Sequence, residues 1–417
     1  MKSRRHPIKK CRERIISSKR QKTEVVHKSA ARINCLSHNS FLNTFKVIFI
    51  LFCLTGIEVF SPSKTRDLKS FKVNRDESLR YRLVCFLQNG CKYTVYFGLC
   101  VKILVGIVMI QYREEDETRS LTHSFIALLT LLFYASVYRR REAMWQVTDT
   151  LYQSLNKVIH STRKVKTHSW IAYIILMQIL MIIWITLRYL SQNFMDVVQI
   201  ITSYSKNFSI YYCNLFLSIV MTFVSIVPCI VLSLFTLYYI LTCSYIRVLL
   251  EHLLEQMKDD FIFEDMEKLV VAYEDIARCM RSMDEHLSLP AFLAVFFTMT
   301  GLFWGGYRIA FNSGMTKNYF LSLLIPLIFY LSVQLLIMVS ASVTNEMANE
   351  VKRVMECLPH QNSTQDPKRI FNFKKVLNHD DSLTLWKVYA MDRSLVITSI
   401  GTLLTYGILI GTLGKDT

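Results

Sequence analysis

Hydrophobic and polar residues are segregated into long blocks along this 417-residue chain, without the short alternations of a soluble domain. The apolar blocks run to about 20 residues, the helical length needed to cross ~30 Å of hydrocarbon. Charged residues are largely excluded from these blocks and crowd between them. Because only a helix satisfies its own backbone within one such block in lipid, the pattern predicts an all-α, polytopic membrane protein.

Six of these blocks have the length and composition of transmembrane helices. They cover residues 120–138, 169–190, 212–243, 289–311, 319–343 and 394–413. A seventh block, 91–111, contains Lys102 but otherwise has the length of a span. An earlier block, 41–60, holds Lys46 and Glu58, which leave only eleven uninterrupted residues between them. That length is too short to span comfortably and predicts an interfacial or re-entrant amphipathic helix.

The distribution of Lys and Arg determines the predicted orientation, because short cytoplasmic loops collect positive charge. Residues 1–40 form a basic tail with twelve Lys/Arg against two acids, which predicts a cytoplasmic N-terminus. If 41–60 crossed the membrane, the seven positive charges of 61–90 would lie outside. If it does not cross, those charges stay inside, the net acidic segment 112–120 lies outside, and 139–168 returns inside with seven more. The sequence therefore predicts seven transmembrane helices, a cytoplasmic N-terminus and an extracellular C-terminus.

Sequons and cysteines fit this orientation. Asn207, in the sequon NFS, lies in the predicted second outer loop and is expected to be glycosylated, whereas Asn362, in NST, lies inside and is expected to stay bare. Of the eleven cysteines only Cys213 lies near the outer face, so no disulfide framework is expected.

The cytoplasmic segments between the later spans carry helical stripes of apolar residues. In 245–285 the stripe consists of Met266, Leu269, Val270, Tyr273, Ile276, Met280 and Met283. The helix of the sixth span is predicted to continue over 343–358, before Pro359 stops it. Such stripes need partners, and they predict an intracellular helical bundle within one chain or between chains. The alternative is that these helices lie on the membrane surface.

The chain after this extension divides into a polar loop and a final apolar segment. The loop covers 359–380. Within 381–417, the spacing of Leu383, Trp386 and Tyr389 predicts a cytoplasmic amphipathic helix that precedes the seventh span.

The last span, TSIGTLLTYGILIGTL, carries a stripe of hydroxyl groups. The stripe consists of Thr398, Thr402, Thr405 and Thr412, with Leu409 filling the missing place. A helix that only contacts lipid gains nothing from such a stripe, so it predicts a polar path along this face. The alternative is packing alone, since threonine can bond its own i−4 carbonyl, and Gly407 and Gly411 allow close helix approach.

The same segment resembles the end of the arthropod gustatory and odorant receptors. Gustatory receptors end in Thr-Tyr, five mostly hydrophobic residues and Gln-Phe. Thr405 and Tyr406 match, and five residues follow them, but Thr412 and Leu413 stand in place of Gln-Phe. The chain is therefore identified as a divergent member of the gustatory receptor family within this superfamily.

That resemblance implies a taste-type receptor in the plasma membrane that acts as a ligand-gated, non-selective cation channel. It implies a homo- or heterotetramer with related subunits, in which the last span of each subunit lines the pore. Thr398, Thr402, Thr405, Leu409 and Thr412 would then face the axis, with Leu409 as a dewetting constriction. Tyr406, on the flank of the stripe, would pack against a neighbouring span. No enzymatic activity, cofactor or nucleic-acid partner is implied, and the basic tail is expected to meet anionic lipid.

The resemblance also implies a pocket for a small organic tastant within 91–343. The candidates, all in the predicted outer halves of their spans, are His123, Trp184, Asn214, Ser218, Thr222, Trp304 and Tyr307. Aromatic faces with a few hydroxyl or amide groups suit such a ligand. Lys102, in the middle of its span, either snorkels from a tilted helix or faces a watery ligand cavity.

Other classes of membrane protein fit the sequence less well. A G-protein-coupled receptor would place its N-terminus outside and would usually carry Glu/Asp-Arg-Tyr and Asn-Pro-x-x-Tyr motifs, which are not present. A membrane-embedded metallohydrolase would need histidines at metal-ligand spacing in its spans, and no H-x-x-x-H pair occurs. A secondary transporter would be expected to show internal repeats or matched broken helices, and the sequence shows neither.

Overall fold

A computed structural model describes most of the chain. The described residues are 41, 43–59, 75–112, 117–158, 168–190, 210–258, 266–311, 317–357 and 382–413. Both sequons, the tail 1–40 and the loop 359–380 lie outside these ranges, so the statements made for them stay predictions. The helices, in chain order, are α1 (Asn43–Leu54), α2 (Arg75–Tyr112), α3 (Glu117–Arg139), α4 (Arg141–Val158), α5 (His168–Leu190), α6 (Ile210–Lys258), α7 (Met266–Phe311), α8 (Lys317–Cys357) and α9 (Arg393–Leu413).

The structure confirms the all-α, polytopic fold, and a helix covers each of the seven predicted spans. Four helices contain stretches that are long and apolar enough to cross a membrane. These stretches are Leu121–Arg139, Thr222–Met257, Leu269–Ile309 and Leu323–Glu356. The orientation of the termini remains a prediction. The end of the bundle where α3 ends and α9 begins is called the hairpin end, after the two-stranded hairpin that precedes α9. The other end is called the opposite end.

Three helices are much longer than a membrane is thick. The helix α6 has 49 residues, α7 has 46 and α8 has 41. At 1.5 Å per residue each exceeds ~30 Å of hydrocarbon by a wide margin, so each extends beyond the membrane at the hairpin end.

These extensions pack with α4 into a helical bundle within a single chain. The predicted stripe of α7 is buried there, with Leu269, Tyr273 and Ile276 all less than 5% exposed. Lys157 Nζ of α4 forms an ion pair with Asp275 Oδ2 of α7 at 2.9 Å. Because this stripe is covered by its own chain, its burial needs no second subunit.

The short helix α1 is anchored by aromatic side chains. Phe41, just before it, packs against Tyr245 of α6 with ring centroids 4.6 Å apart, and Phe49 packs against Trp145 of α4 at 5.6 Å. The chain then turns at Gly56, whose φ of 85° favours glycine. The Tyr134 hydroxyl of α3 donates to the Thr55 carbonyl at 2.9 Å and holds this turn against the bundle.

The segment before α9 differs from the predicted amphipathic helix. It forms a two-stranded antiparallel hairpin, in which β1 (Thr384–Leu385) pairs with β2 (Tyr389–Ala390). The prediction of an amphipathic helix is therefore wrong over residues 384–390. Trp386 and Lys387 at the tip have positive φ angles of 51° and 58°, which a helix cannot accommodate.

Distant polar side chains determine this hairpin. Asn345 of α8 donates to the carbonyls of Leu383 and Met391, each at 2.9 Å, and accepts from the Leu383 amide at 2.8 Å. Asp284 of α7 accepts from the Thr384 amide and hydroxyl at 2.6 and 2.7 Å. Backbone groups that a helix would satisfy internally are thus satisfied by α7 and α8.

Two glycines bring α7 and α8 into close contact. A Cβ on Gly301 would lie 2.6 Å from Cε2 of Tyr330, and one on Gly305 would lie 2.7 Å from Cδ2 of Leu327. Small residues at this spacing let membrane helices approach closely. At Gly306, by contrast, an added Cβ would meet no atom of the described residues within 4 Å.

We expect Gly301→Ala to destabilise the fold and Gly306→Ala to be neutral or stabilising. Overpacking costs ~1–3 kcal/mol, which outweighs the ~1 kcal/mol that alanine gains over glycine in a helix. Melting temperatures of the detergent-purified variants, read from loss of the monodisperse chromatographic peak, check this. Equal melting temperatures for both variants would contradict the close α7–α8 contact.

Candidate functional site

An aromatic group at the opposite end joins two of the transmembrane helices. Trp304 and Tyr307 lie one turn apart on α7, and their rings stack at 5.5 Å with planes 8° apart. The His123 ring of α3 meets the Trp304 ring edge-on at 6.1 Å. The Arg308 guanidinium lies 5.4 Å from the Trp304 ring centroid, within the range of a cation–π contact. Three of the seven predicted pocket residues are thus brought together.

Trp304 has a polar atom that could orient a ligand. Its Nε1 is buried and has no hydrogen-bond partner in the part of the chain that the structure describes. Buried indole N–H groups usually find an acceptor. A ligand oxygen placed against this aromatic group could supply that acceptor.

The other predicted pocket residues are distributed over different helices. Trp184 lies half-buried on α5 against the hydrophobic core, and Thr222 lies half-buried on α6. Asn214 and Ser218 lie on the first turns of α6, but their side chains are outside the described part of the structure. The aromatic group is therefore the best-supported part of the predicted pocket.

Lys102 has a partner that the sequence did not reveal. Its Nζ donates to the Ser225 hydroxyl of α6 at 2.5 Å, so the cation points from α2 toward a neighbouring helix. Ser225 lies one turn from Thr222 on α6. Lys102 is therefore a half-buried cation that is hydrogen-bonded to a neutral hydroxyl of a neighbouring helix.

Further polar pairs link neighbouring spans. The hydroxyls of Tyr173 on α5 and Ser332 on α8 are 2.6 Å apart. Ser233 of α6 donates to Oε1 of Gln178 on α5. Isolated serine and glutamine residues inside apolar blocks were the only sequence signal for these pairs, and their partners lie far apart along the chain.

Among the described side chains of α9, those that contact the rest of the chain lie along one side of the helix. Leu395 and Val396 pack against the core, and the Ser399 hydroxyl approaches Nε2 of the buried Gln334 on α8 at 3.4 Å. The other side is open: Thr398 and Thr405 are exposed, and Ile397 is 69% exposed.

The predicted threonine stripe lies on this open side. Thr402, at its edge, is half-buried, whereas the side chains of Tyr406, Leu409 and Thr412 are outside the described part. The hydroxyls of Thr402 and Thr405 donate to the carbonyls of Thr398 and Gly401, both at 2.8 Å. This is the i−4 bond of the packing alternative. It occupies the hydroxyl hydrogens and leaves the oxygen lone pairs available as acceptors.

A metal site would require several ligating side chains close together. Among the described residues, no group of three His, Cys, Asp or Glu side chains is arranged to hold a metal ion. Three features could serve in binding a ligand or an ion: an aromatic group with an available donor, a half-buried cation, and an open hydroxyl face on the last helix.

Comparisons with known proteins identify the family and the fold. A family model described as "7tm Chemosensory receptor" matches residues 117–410. The fold is similar to that of the insect olfactory receptor OR5 from Machilis hrabei, with a TM-score of 0.61 and 14% identity over 89% of this chain and 98% of that one. The same receptor in complex with eugenol gives a TM-score of 0.63 and 13% identity over 90% and 99% of the two chains. No individually curated protein matches this sequence.

We expect charged thiol reagents to modify cysteines at positions 398 and 405 and not at position 399. The threonine positions are exposed, whereas Ser399 faces Gln334 and Met338. Ser399→Cys is thus a matched control, one residue from Thr398→Cys. The background must lack the exposed Cys100 and the five cysteines whose side chains the structure does not describe, Cys11, Cys35, Cys85, Cys213 and Cys357.

The measurement is the mass shift of the intact protein in membranes. Charged reagents react only where water reaches the thiol, so a lipid-facing position would stay unmodified. Equal labelling of all three positions, or labelling of position 399 alone, would contradict a hydrated threonine face.

Proposed function

We propose that this chain, which belongs to the 7tm Chemosensory receptor family, is a taste-type receptor. We propose further that it acts as a ligand-gated, non-selective cation channel. The observation that carries the channel proposal is the open threonine face of α9. Thr398 and Thr405 lie on the side of the helix that its own chain leaves uncovered. A hydroxyl face in a membrane helix has a use only where it meets water, ions or another polar surface.

The proposed pore is built by α9 from four subunits around a central axis. The backbone-bonded hydroxyls of Thr402 and Thr405 would present oxygen lone pairs to a passing cation without adding a fixed charge. Such a lining attracts cations weakly and discriminates little among them, which suits a non-selective pore. Leu409, one turn beyond Thr405, is the proposed dewetting constriction.

The same open side supports a proposal for the assembly. The exposed Ile397 lies on the open side next to the threonines, where it would contact α9 of an adjacent subunit. The inner helical stripe is already buried within one chain, so subunit contacts must come from other surfaces. The proposed assembly is a homo- or heterotetramer with related subunits.

The proposed ligand is a small organic tastant that binds at the aromatic group of His123, Trp304 and Tyr307. Stacked rings supply apolar contact area, and the buried Trp304 Nε1 supplies a hydrogen-bond donor. The structurally similar olfactory receptor was solved with the small organic molecule eugenol, which supports a ligand of this size.

The proposed location is the plasma membrane, with the hairpin end in the cytoplasm. We expect an N-terminal epitope tag to be stained only after permeabilisation and a C-terminal tag to be stained on intact cells. The reason is the seven positive charges of 61–90, which oppose an eighth span. An N-terminal tag that is visible on intact cells would contradict the orientation.

The function is tested by whole-cell current from the chain expressed alone and exposed to a panel of sugars and bitter compounds. We expect a ligand-evoked cation current that Thr405→Lys abolishes, because a ring of like charge in a low-dielectric wall repels cations. Thr405→Ser keeps the hydroxyl and should conduct normally.

Trp304→Ala should raise the ligand concentration for half-maximal current at least tenfold, since it removes both the ring and the donor.

Thr405→Lys and Trp304→Ala test the proposed pore and the proposed pocket separately. Current from Thr405→Lys at the level of the unchanged protein would refute the pore assignment. An unchanged concentration dependence for Trp304→Ala would refute the pocket while leaving the pore intact.

A further inference from the structure

Two cations from different helices meet at one tyrosine ring at the hairpin end. Lys92 Nζ of α2 donates to the Tyr138 hydroxyl of α3 at 2.9 Å and lies 4.1 Å from the centroid of that ring. The Arg141 guanidinium of α4 lies 4.4 Å from the same centroid. Contacts to one ring thus bring both cations into one site, and the three residues are called the boundary group.

The boundary group lies at the predicted edge of the membrane. Lys92 is the second residue of the predicted span 91–111, and Tyr138 is the last residue of the predicted span 120–138. The turn after α1, which is predicted to be interfacial, packs against the same place. A Cβ added to Gly56 in this turn would lie 3.0 Å from the Lys92 amide nitrogen. The group therefore lies at the level of lipid headgroups.

The backbone holds the cations in position. Arg140 is the single residue between α3 and α4, and its amide donates to the carbonyls of Ser136 and Val137 at 3.1 and 3.2 Å. Arg141 follows directly, and its Nη1 donates to the Tyr138 carbonyl at 3.2 Å. The guanidinium is thus fixed to the corner between two helices, beside the ring that also contacts Lys92.

The boundary group carries more positive than negative charge. Among the described residues Lys92 forms no ion pair, and Arg141 pairs with Glu142 alone, at 3.5 Å. Glu142 is 62% exposed, and an ion pair of this kind contributes at most about 1 kcal/mol. Two cations with one solvated carboxylate leave a net positive charge, so the site favours an anion.

An anion can reach these side chains from outside the bundle. Lys92, Tyr138 and Arg141 are half-buried, and the Tyr93 ring, 5.5 Å from Lys92 Nζ, is 66% exposed. The Tyr138 hydroxyl accepts from Lys92 and donates to no described residue, so its hydrogen is available for an incoming oxygen. The site therefore offers an ammonium, a guanidinium and a hydroxyl donor.

Apolar side chains beside the boundary group favour a lipid over a phosphate in solution. The face of α1 turned away from the bundle has the helical spacing i, i+3, i+4, i+7 and is between 40% and 72% exposed; it consists of Val47, Ile50, Leu51 and Leu54. On α2, Phe97 is 70% exposed, one turn from Tyr93. A soluble phosphate gains nothing from such surfaces, whereas acyl chains cover them.

We propose that Lys92, Tyr138 and Arg141 bind the phosphate of an anionic phospholipid, whose acyl chains lie against the exposed apolar residues of α1 and α2. The guanidinium supplies a planar pair of donors, the ammonium a point charge, and the Tyr138 hydroxyl a neutral donor. The lipid would join α1 to the corner between α3 and α4. The cytoplasmic leaflet rests on the proposed orientation, whereas the binding of the headgroup does not.

The test measures binding of the water-soluble lipid dioctanoyl phosphatidylglycerol to the full chain in neutral detergent, by native mass spectrometry. We expect Lys92→Gln with Arg141→Gln to raise the Kd at least tenfold, since each basic residue near an anionic surface contributes roughly fivefold. Lys157→Gln with Arg278→Gln removes two cations that both pair with Asp275 in the helical bundle beyond the membrane, and it should leave the Kd unchanged.

A conservative variant tests the hydroxyl without changing the charge. Tyr138→Phe keeps the ring that contacts both cations and should raise the Kd roughly tenfold, because it removes a hydrogen bond to a charged group. This variant and Lys92→Gln decide the outcome if the double variant loses its monodisperse chromatographic peak.

Two further ligands identify the source of the phosphate. Dioctanoyl phosphatidylcholine, which has the same chains and no net charge, should bind at least tenfold more weakly, and glycerol phosphate, which has no chains, should not displace the bound lipid. Equal Kd values in the boundary-group variants and the control would overturn the proposal. Displacement by glycerol phosphate at the concentration of the lipid would also overturn it, in favour of a soluble phosphate ligand. Neither result depends on channel current.

Discussion

The side-chain amide of Asn345 determines where the last helix begins. It is buried, and its three hydrogen bonds reach Leu383 and Met391, the two residues that close the base of the hairpin through their own 3.0 Å backbone bond. Loss of this amide would leave buried backbone groups without partners, at roughly 1–3 kcal/mol each. Because α9 begins two residues after Met391, the amide also determines the height and rotation of α9, and hence which of its faces the chain leaves open.

A few polar pairs similarly determine the neighbours of the other spans. Lys102 with Ser225 and Gln178 with Ser233 each join two helices at partly buried positions, and Tyr173 with Ser332 joins two helices at an exposed one. Such pairs contribute only about 0.6 kcal/mol each in membrane proteins, so they matter more for the rotation of a helix than for total stability. Stability comes from close packing, as at Gly301, where a single methyl group would meet the Tyr330 ring.

The spans were predictable from the sequence because the constraint behind them is local. A helix in hydrocarbon must be long and apolar, and that requirement is written into each block separately. The hairpin was not predictable, since Leu383, Trp386 and Tyr389 have the spacing of a helical stripe, whereas the side chains that impose the turn lie up to 100 residues away. The aromatic group of the candidate pocket was partly predictable: aromatic residues near span ends could be chosen, but the contact of His123 with Trp304 depends on the α3–α7 packing.

Mechanical coupling in the proposed receptor follows from α7, which contacts both functional ends. At one end it carries Trp304 and Tyr307, and at the other it holds the hairpin through Asp284. One helix contains both positions, with Pro290 between them. A tilt imposed by a ligand at the aromatic group would move the Asp284 carboxylate and, through Thr384, the hairpin, unless the helix bends at this proline. The amide of Asn345 resists that movement because it holds the same hairpin from α8. Opening would then require α7 and α8 to shift together, and their close contact at Gly301 and Gly305 favours such a concerted shift over independent sliding.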